Sequence, residues 1–125
     1  MIYLDTHVVI WLFKDRGKGL STDARQLIET TDVIFISPMV LLELDFLKEI
    51  QRITLGSRPV YDYLHDRLGL SICEKPFSAV VQKAAEQSWT RDPFDRLITS
   101  QAALDQNILI TKDENIRKYY PHATW

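Results

Sequence analysis

Short β-rich runs alternate with longer stretches of helical periodicity along this whole chain, and that alternation narrows its fold more than any other feature. Ile2-Tyr3-Leu4, Val33-Ile34-Phe35-Ile36, Leu70-Ser71-Ile72 and Ile108-Leu109-Ile110 are short and mostly apolar, as strands covered on both faces are. The segments between them are long enough for crossover helices, so a parallel sheet is expected. Thr6 is placed to cap a short helix through Val8, Val9, Trp11 and Leu12, and Gly17-Lys18-Gly19 breaks the chain after it. Ser21 starts a helix with Ala24, Leu27 and Ile28 inward. Ser37-Pro38 and Asp92-Pro93 each join a capping side chain to a first-turn proline. The first of these helices is expected to run to about Gln51, the second from Phe94 to about Gln106. Further helices are expected over Val60 to Leu68, Phe77 to Trp89 (Val80, Val81, Ala84 and Ala85 inward) and Asn115 to Tyr120. Three or four strands, each followed by helix, predict a three-layer α/β domain: a central, mostly parallel sheet flanked by helices, with residues 1–125 as a single domain.

Composition agrees and excludes several function classes. The chain has 125 residues, 46% hydrophobic and 26% charged, which suits one globular domain and neither a disordered nor a coiled-coil protein. Cys73 stands alone, so it closes no internal disulfide and supplies no thiolate cluster; a buried thiol is expected. No apolar run approaches the roughly 18 residues of a membrane span, and Met1-Ile2-Tyr3-Leu4-Asp5 is not a secretory leader. A cytoplasmic protein with no membrane partner is the expectation. Seventeen acids against 15 bases give a charge of −2, which argues against a broad basic clamp on nucleic acid.

The carboxylates sit where a plain core does not want them. Asp5 ends the first strand and Asp113 lies just past the last. Ligands of open parallel sheets bind outside the carboxyl ends of the strands, although aspartate there also serves as a turn or cap residue. Glu43 has Met39, Val40, Phe46 and Leu47 as its helical neighbours, which places it in an apolar stripe; it should be paired with an arginine, protonated or bound to metal. Asp92 can cap the helix that starts at Pro93. Asp95 is not needed for that. Four acids from four separated segments, Asp5, Glu43, Asp95 and Asp113, suggest one acidic pocket, whose natural partners are hard divalent ions with oxygen ligands, Mg²⁺ or Mn²⁺. His7, His65 and His122 are scattered and give no zinc-site spacing. Arg96 and Lys112, beside the acids, are each an ion-pair partner or a phosphate contact.

Asp5-Thr6-His7 after the first strand, Ser-Pro-x-x-x-x-Glu at Ser37 to Glu43, Asp92-Pro93-Phe94-Asp95-Arg96, and Ile110-Thr111-Lys112-Asp113 together resemble the PIN-domain ribonucleases, and among them the VapC toxins of toxin–antitoxin pairs. The resemblance spans nearly the whole chain, in order. It implies a PIN-like fold and a metal-dependent endoribonuclease in which Asp5, Glu43, Asp95 and Asp113 hold one or two Mg²⁺ or Mn²⁺ ions. Asp92, Thr111, Thr6 and Arg96 are its secondary candidates, Thr111 as a residue that orders the metal shell. It implies RNA as substrate (tRNA or ribosomal RNA in many members), a VapB-like antitoxin whose arm enters the acidic groove, and a homodimer or higher assembly. A PIN nuclease outside any toxin pair, or a non-catalytic RNA-binding or protein adaptor on the same fold, are the alternatives. A signalling receiver domain lacks its mid-chain phosphoacceptor here, because Ile53-Thr54-Leu55-Gly56 contains no acid. An aspartyl-nucleophile phosphatase needs an acid where His7 stands. Removing the four acids from the 17 leaves 13 against 15 bases, so the rest of the chain is mildly basic and phosphate attraction can be concentrated at bound metal.

Overall fold

Every strand pairing in the sheet is parallel, as short covered strands joined by helices require. The computed structural model describes residues 1–125. In chain order the elements are β1 (Ile2–Leu4), α1 (Thr6–Asp15), α2 (Thr22–Thr30), β2 (Ile34–Ile36), α3 (Pro38–Glu49), α4 (Ser57–Leu68), β3 (Ser71–Ile72), α5 (Phe77–Ala84), α6 (Pro93–Ala103), β4 (Ile108–Ile110), α7 (Glu114–Tyr119) and β5 (Ala123–Thr124). The strand order is β3-β2-β1-β4-β5. The chain steps outward from β1 through β2 to β3, then returns to lay β4 on the other side of β1, with Leu4 opposite Ile110. That reversal leaves a crevice beyond the carboxyl ends of β1 and β4, the place where open α/β sheets take their ligands.

The core forms where the sheet meets its helices. All three residues of β1 are buried, with Val8 and Val9 of α1, Val40 and Leu44 of α3, Ile98 and Ala102 of α6, and Leu109 and Ile110 of β4 in the same cluster. Cys73 is buried as expected, its Sγ 3.1 Å from the Tyr3 hydroxyl.

Several boundaries differ from the sequence reading, each for a local reason. The cap of α1 is Asp5 rather than Thr6, which is the first helical residue. The end of α3 is Glu49, and Gln51 beyond it turns left-handed with φ 62°. Likewise α6 stops at Ala103 and Gln106 has φ 55°. Only eight residues form α5; beyond it Gln87 is buried and accepts from Trp89 Nε1 at 2.7 Å. Its inward residues are Val80 and Ala84, whereas Val81 (45% exposed) and Ala85 face solvent. A fifth strand was not foreseen. The tail supplies it: Thr111 N–H donates to Thr124 O at 2.9 Å, and Trp125 packs edge-on against Trp11, 5.5 Å between centroids.

The start of α4 moves to Ser57 because α3 caps it from outside. Asp45 accepts from the Ser57 N–H at 2.8 Å and from its hydroxyl at 2.9 Å, and these two bonds hold its carboxyl below the usual range. Gly56 is required by the close approach, since a Cβ there would lie 2.6 Å from Asp45 Oδ1. Asp45→Ala is therefore expected to cost about 1 kcal/mol, the usual value of a lost helix cap, and to lower the thermal midpoint by a few degrees at neutral pH. A carboxyl with a lowered folded pKa contributes above its unfolded value, about 4, and loses the contribution as pH falls through the folded value. The difference between variant and parent should shrink on acidification. Equal midpoints at pH 7 would refute the cap.

Candidate active site

Both hydroxyls that follow β1 and β4 are used to fix carboxylates. Asp5 comes directly after β1 and is only 7% exposed. Its Oδ1 accepts the Thr6 N–H at 2.8 Å, capping α1, and its Oδ2 accepts the Thr111 hydroxyl at 2.6 Å. Thr111, fully buried after β4, in turn accepts the Asp113 N–H through Oγ1 at 3.0 Å. The Thr6 hydroxyl donates to Glu43 Oε1 at 2.5 Å, which ties α1 to α3. Thus one threonine spans Asp5 and Glu43, and the other spans Asp5 and Asp113.

On the opposite wall, Asp92 caps α6 by accepting from Phe94 N–H at 2.8 Å and Asp95 N–H at 3.3 Å, as the sequence suggested. Asp95 sits half-buried in the first turn, and its carboxyl accepts no hydrogen bond from the protein. Burial, then the charges of Asp92, Asp5, Asp113 and Glu43, push its pKa up to about 7. Those four carboxylates all act electrostatically on Asp95. Burial also raises Asp5, against hydrogen bonds from Thr111 and Thr6 that favour its ionised form. Glu43 is raised by burial too, with Thr6 opposing and Asp5 adding repulsion. Acidic groups that repel one another are relieved by a proton or by a cation among them.

Three expectations change in detail. The buried residues of α3 are Val40 and Leu44, and Phe46 is 44% exposed; Glu43 borders that stripe rather than lying within it. No arginine pairs with Glu43; Thr6 satisfies it instead. Neither Arg96 nor Lys112 forms an ion pair. Arg96 Nε donates to the Thr90 carbonyl at 2.7 Å and steadies the loop before α6. Asp113 spends one oxygen capping α7 through the Ile116 N–H at 2.9 Å, and remains exposed. Sequence reasoning set His7 aside with the other histidines. It lies close enough to Asp5 and Glu43 to favour the charged form of both, and its position directly after Asp5-Thr6 was the available signal.

The donor set suits a hard divalent ion: oxygen ligands only, with Asp95 unengaged and one oxygen each of Glu43 and Asp113 left over by the hydrogen bonds above. The fit is one of donor chemistry and charge. No group of three or more acidic, histidine or cysteine side chains is arranged to hold a metal ion as the side chains stand. Beside the acids, a groove of about 730 Å³ runs along α1 towards the start of α4, lined among others by His7, Trp11, Leu47, Arg52, Ile53 and Leu55.

Comparison with known proteins follows this geometry. The family model of the PIN domain matches residues 2–120. Ribonuclease VapC22 of Mycobacterium tuberculosis is 33% identical over 124 residues, an alignment covering 94% of this chain and 91% of that protein. Among solved structures, a toxin–antitoxin complex from Klebsiella pneumoniae has a chain that superposes with a TM-score of 0.69 at 18% identity, covering 100% of this chain and 97% of that one. VapBC2 from Rickettsia felis, bound to a DNA fragment from its promoter, gives 0.67 at 21% identity, covering 98% and 96%. At those identities the two structures speak for the fold.

Proposed function

The chain belongs to the PIN domain family, and on that premise we propose that it is a Mg²⁺- or Mn²⁺-dependent endoribonuclease, the toxin of a VapBC-type pair. One observation carries the reading: Asp95, on the first turn of α6, accepts no hydrogen bond, and burial, then the charges of Asp92, Asp5, Asp113 and Glu43, raise its pKa to about 7. Asp5, Glu43, Asp95 and Asp113 would hold the ion or ions. A divalent ion there would supply Lewis-acid charge and a water of lowered pKa, the two needs of phosphodiester hydrolysis near neutrality.

The chain's own residues do the rest. Thr6 and Thr111 hold Glu43 and Asp5 in fixed rotamers, so ligand geometry is set before substrate arrives. Asp95 must be ionised to ligate, so proton and metal compete for the same carboxylate. The substrate is single-stranded or looped RNA, tRNA or ribosomal RNA among the classes to test. A VapB-like antitoxin arm has a groove to occupy beside the acids, apolar along its floor and flanked by His7, Lys14 and Arg52. Leu42, Phe46, Phe77 and Val81 are large apolar residues left exposed, and they favour a homodimer or higher assembly. No helix is long and apolar enough to cross a membrane.

Purified protein with end-labelled RNA and Mn²⁺ or Mg²⁺ should give discrete cleavage products, and excess EDTA should reduce the rate at least a hundredfold until metal is restored. Cleavage indifferent to EDTA would reject the metal; no cleavage of any cellular RNA would reject the nuclease. Sequencing RNA 5′ ends after induced expression identifies the target in the same experiment.

A further inference from the structure

One cation on the segment that carries Thr111 and Asp113 is held without being neutralised. Lys112 lies between Thr111 and Asp113, yet its ammonium forms no ion pair and no hydrogen bond within the protein. It instead rests over two indoles, 5.7 Å from the Trp11 centroid and 5.9 Å from that of Trp125. Those rings meet edge to face, and His7 leans on Trp11 from the other side of the acids, 6.1 Å between centroids. The backbone beneath is pinned at both ends. Thr111 is buried and bonded to Asp5, and Arg117 donates to the Lys112 carbonyl at 3.2 Å.

This arrangement is not what simple electrostatics selects. An exposed lysine next in sequence to Asp113 would ordinarily pair with a nearby carboxylate. Here the attraction of two ring faces fixes the side chain's direction, while its three N–H donors stay free. A lysine serves well as a point charge for phosphate. Bound metal would attract the phosphate that is cleaved, and a fixed positive charge on the adjoining segment can hold a neighbouring one.

We propose that Lys112, seated on Trp11 and Trp125, is a substrate-binding residue that contacts an RNA phosphate adjacent to the one cleaved. The proposal deepens the nuclease reading above and rests on it. Its role is binding and register, so the loss should fall on KM more than on kcat. Lys112→Gln is expected to raise KM for a single-stranded RNA oligonucleotide about tenfold, as loss of one charge-assisted hydrogen bond does, with kcat changed less than about threefold. Lys112→Arg keeps the charge and the stacking on indole and should restore most of the affinity.

The test pairs those kinetics with binding of the same oligonucleotide, followed by fluorescence anisotropy across a salt series in the Asp5→Asn background, where turnover is expected to be about a thousandfold slower. One phosphate contact fewer should make the slope of log K against log salt shallower by about 0.7 for single-stranded nucleic acid. An unchanged KM and an unchanged slope in Lys112→Gln would overturn the proposal. If the parent protein cleaves no RNA, the nuclease reading falls, and the salt slope still decides whether Lys112 meets phosphate. Equal thermal midpoints for the three proteins are expected, because the side chain is exposed.

Discussion

Asp5→Asn should leave a folded protein that cleaves RNA about a thousandfold more slowly than its parent, the several kcal/mol of charge stabilisation that a displaced or misplaced metal represents. The separation of fold from activity follows from what Asp5 touches. Asparagine is as good a helix cap as aspartate, so Oδ1 can still accept the Thr6 N–H. At the other end the hydroxyl of Thr111 can rotate to accept from the amide instead of donating to Oδ2. What disappears is a buried negative charge whose ionised form the protein stabilises with two hydrogen bonds against the cost of burial. The thermal midpoint should therefore stay within a few degrees of the parent while single-turnover cleavage collapses. A variant retaining more than a tenth of the activity would remove Asp5 from the metal site, and an unfolded variant would show that its hydrogen bonds, not its charge, are what the site needs.

Asp95→Asn should also abolish cleavage, and in metal-free buffer at pH 8 it should make the protein more stable. Asp95 has a folded pKa of about 7 against an ordinary 3.8. The native state thus holds this proton more tightly than the unfolded chain does, and the associated stabilisation is complete below about 4 and lost as pH rises through 7. Asparagine never acquires the charge. Without screening the difference would approach 4 kcal/mol; water around the half-buried carboxyl reduces it to about 1–2 kcal/mol, or several degrees in midpoint. Parent and variant should converge near pH 4 and separate above neutrality. Saturating Mn²⁺ should reverse the order, because only the parent keeps its full ligand set and gains from binding. Should the variant be the less stable protein at pH 8 without metal, repulsion among the acids is not what governs Asp95.

Much of this site can be read from one sequence because its chemistry violates local rules. Glu43 beside apolar neighbours and Asp95 in a turn already capped by Asp92 each lack a sufficient structural reason. Asp5 and Asp113 proved to be caps as well, so position alone would not have distinguished them. The threonine bridges were out of reach, since Thr6 to Glu43 and Thr111 to Asp5 span 37 and 106 residues and no periodicity encodes a pairing at that distance. The same holds for Asp45, which reads as a solvent-facing acid of α3 until α4 is folded against it and Ser57 donates to it. Two-residue β5 is too short to carry a pattern. The over-long α5 shows the opposite failure, in which helical spacing continues past Ala84 although Gln87 and Trp89 prefer each other.

The position of β1 has a consequence for how this protein comes into being. Its strand is made before the others yet lies in the middle of the sheet, and the neighbour that completes the crevice beyond its carboxyl end is β4, roughly a hundred residues later. At about 5–20 residues per second on the ribosome, Asp5 waits some seconds before Thr111 and Asp113 exist to join it. During synthesis the nascent chain therefore carries only fragments of a nuclease, with one edge of β1 unpaired and no assembled acid cluster. An enzyme directed at RNA is in this way inert beside the machinery that is translating it, and a chain broken off before residue 108 stays so.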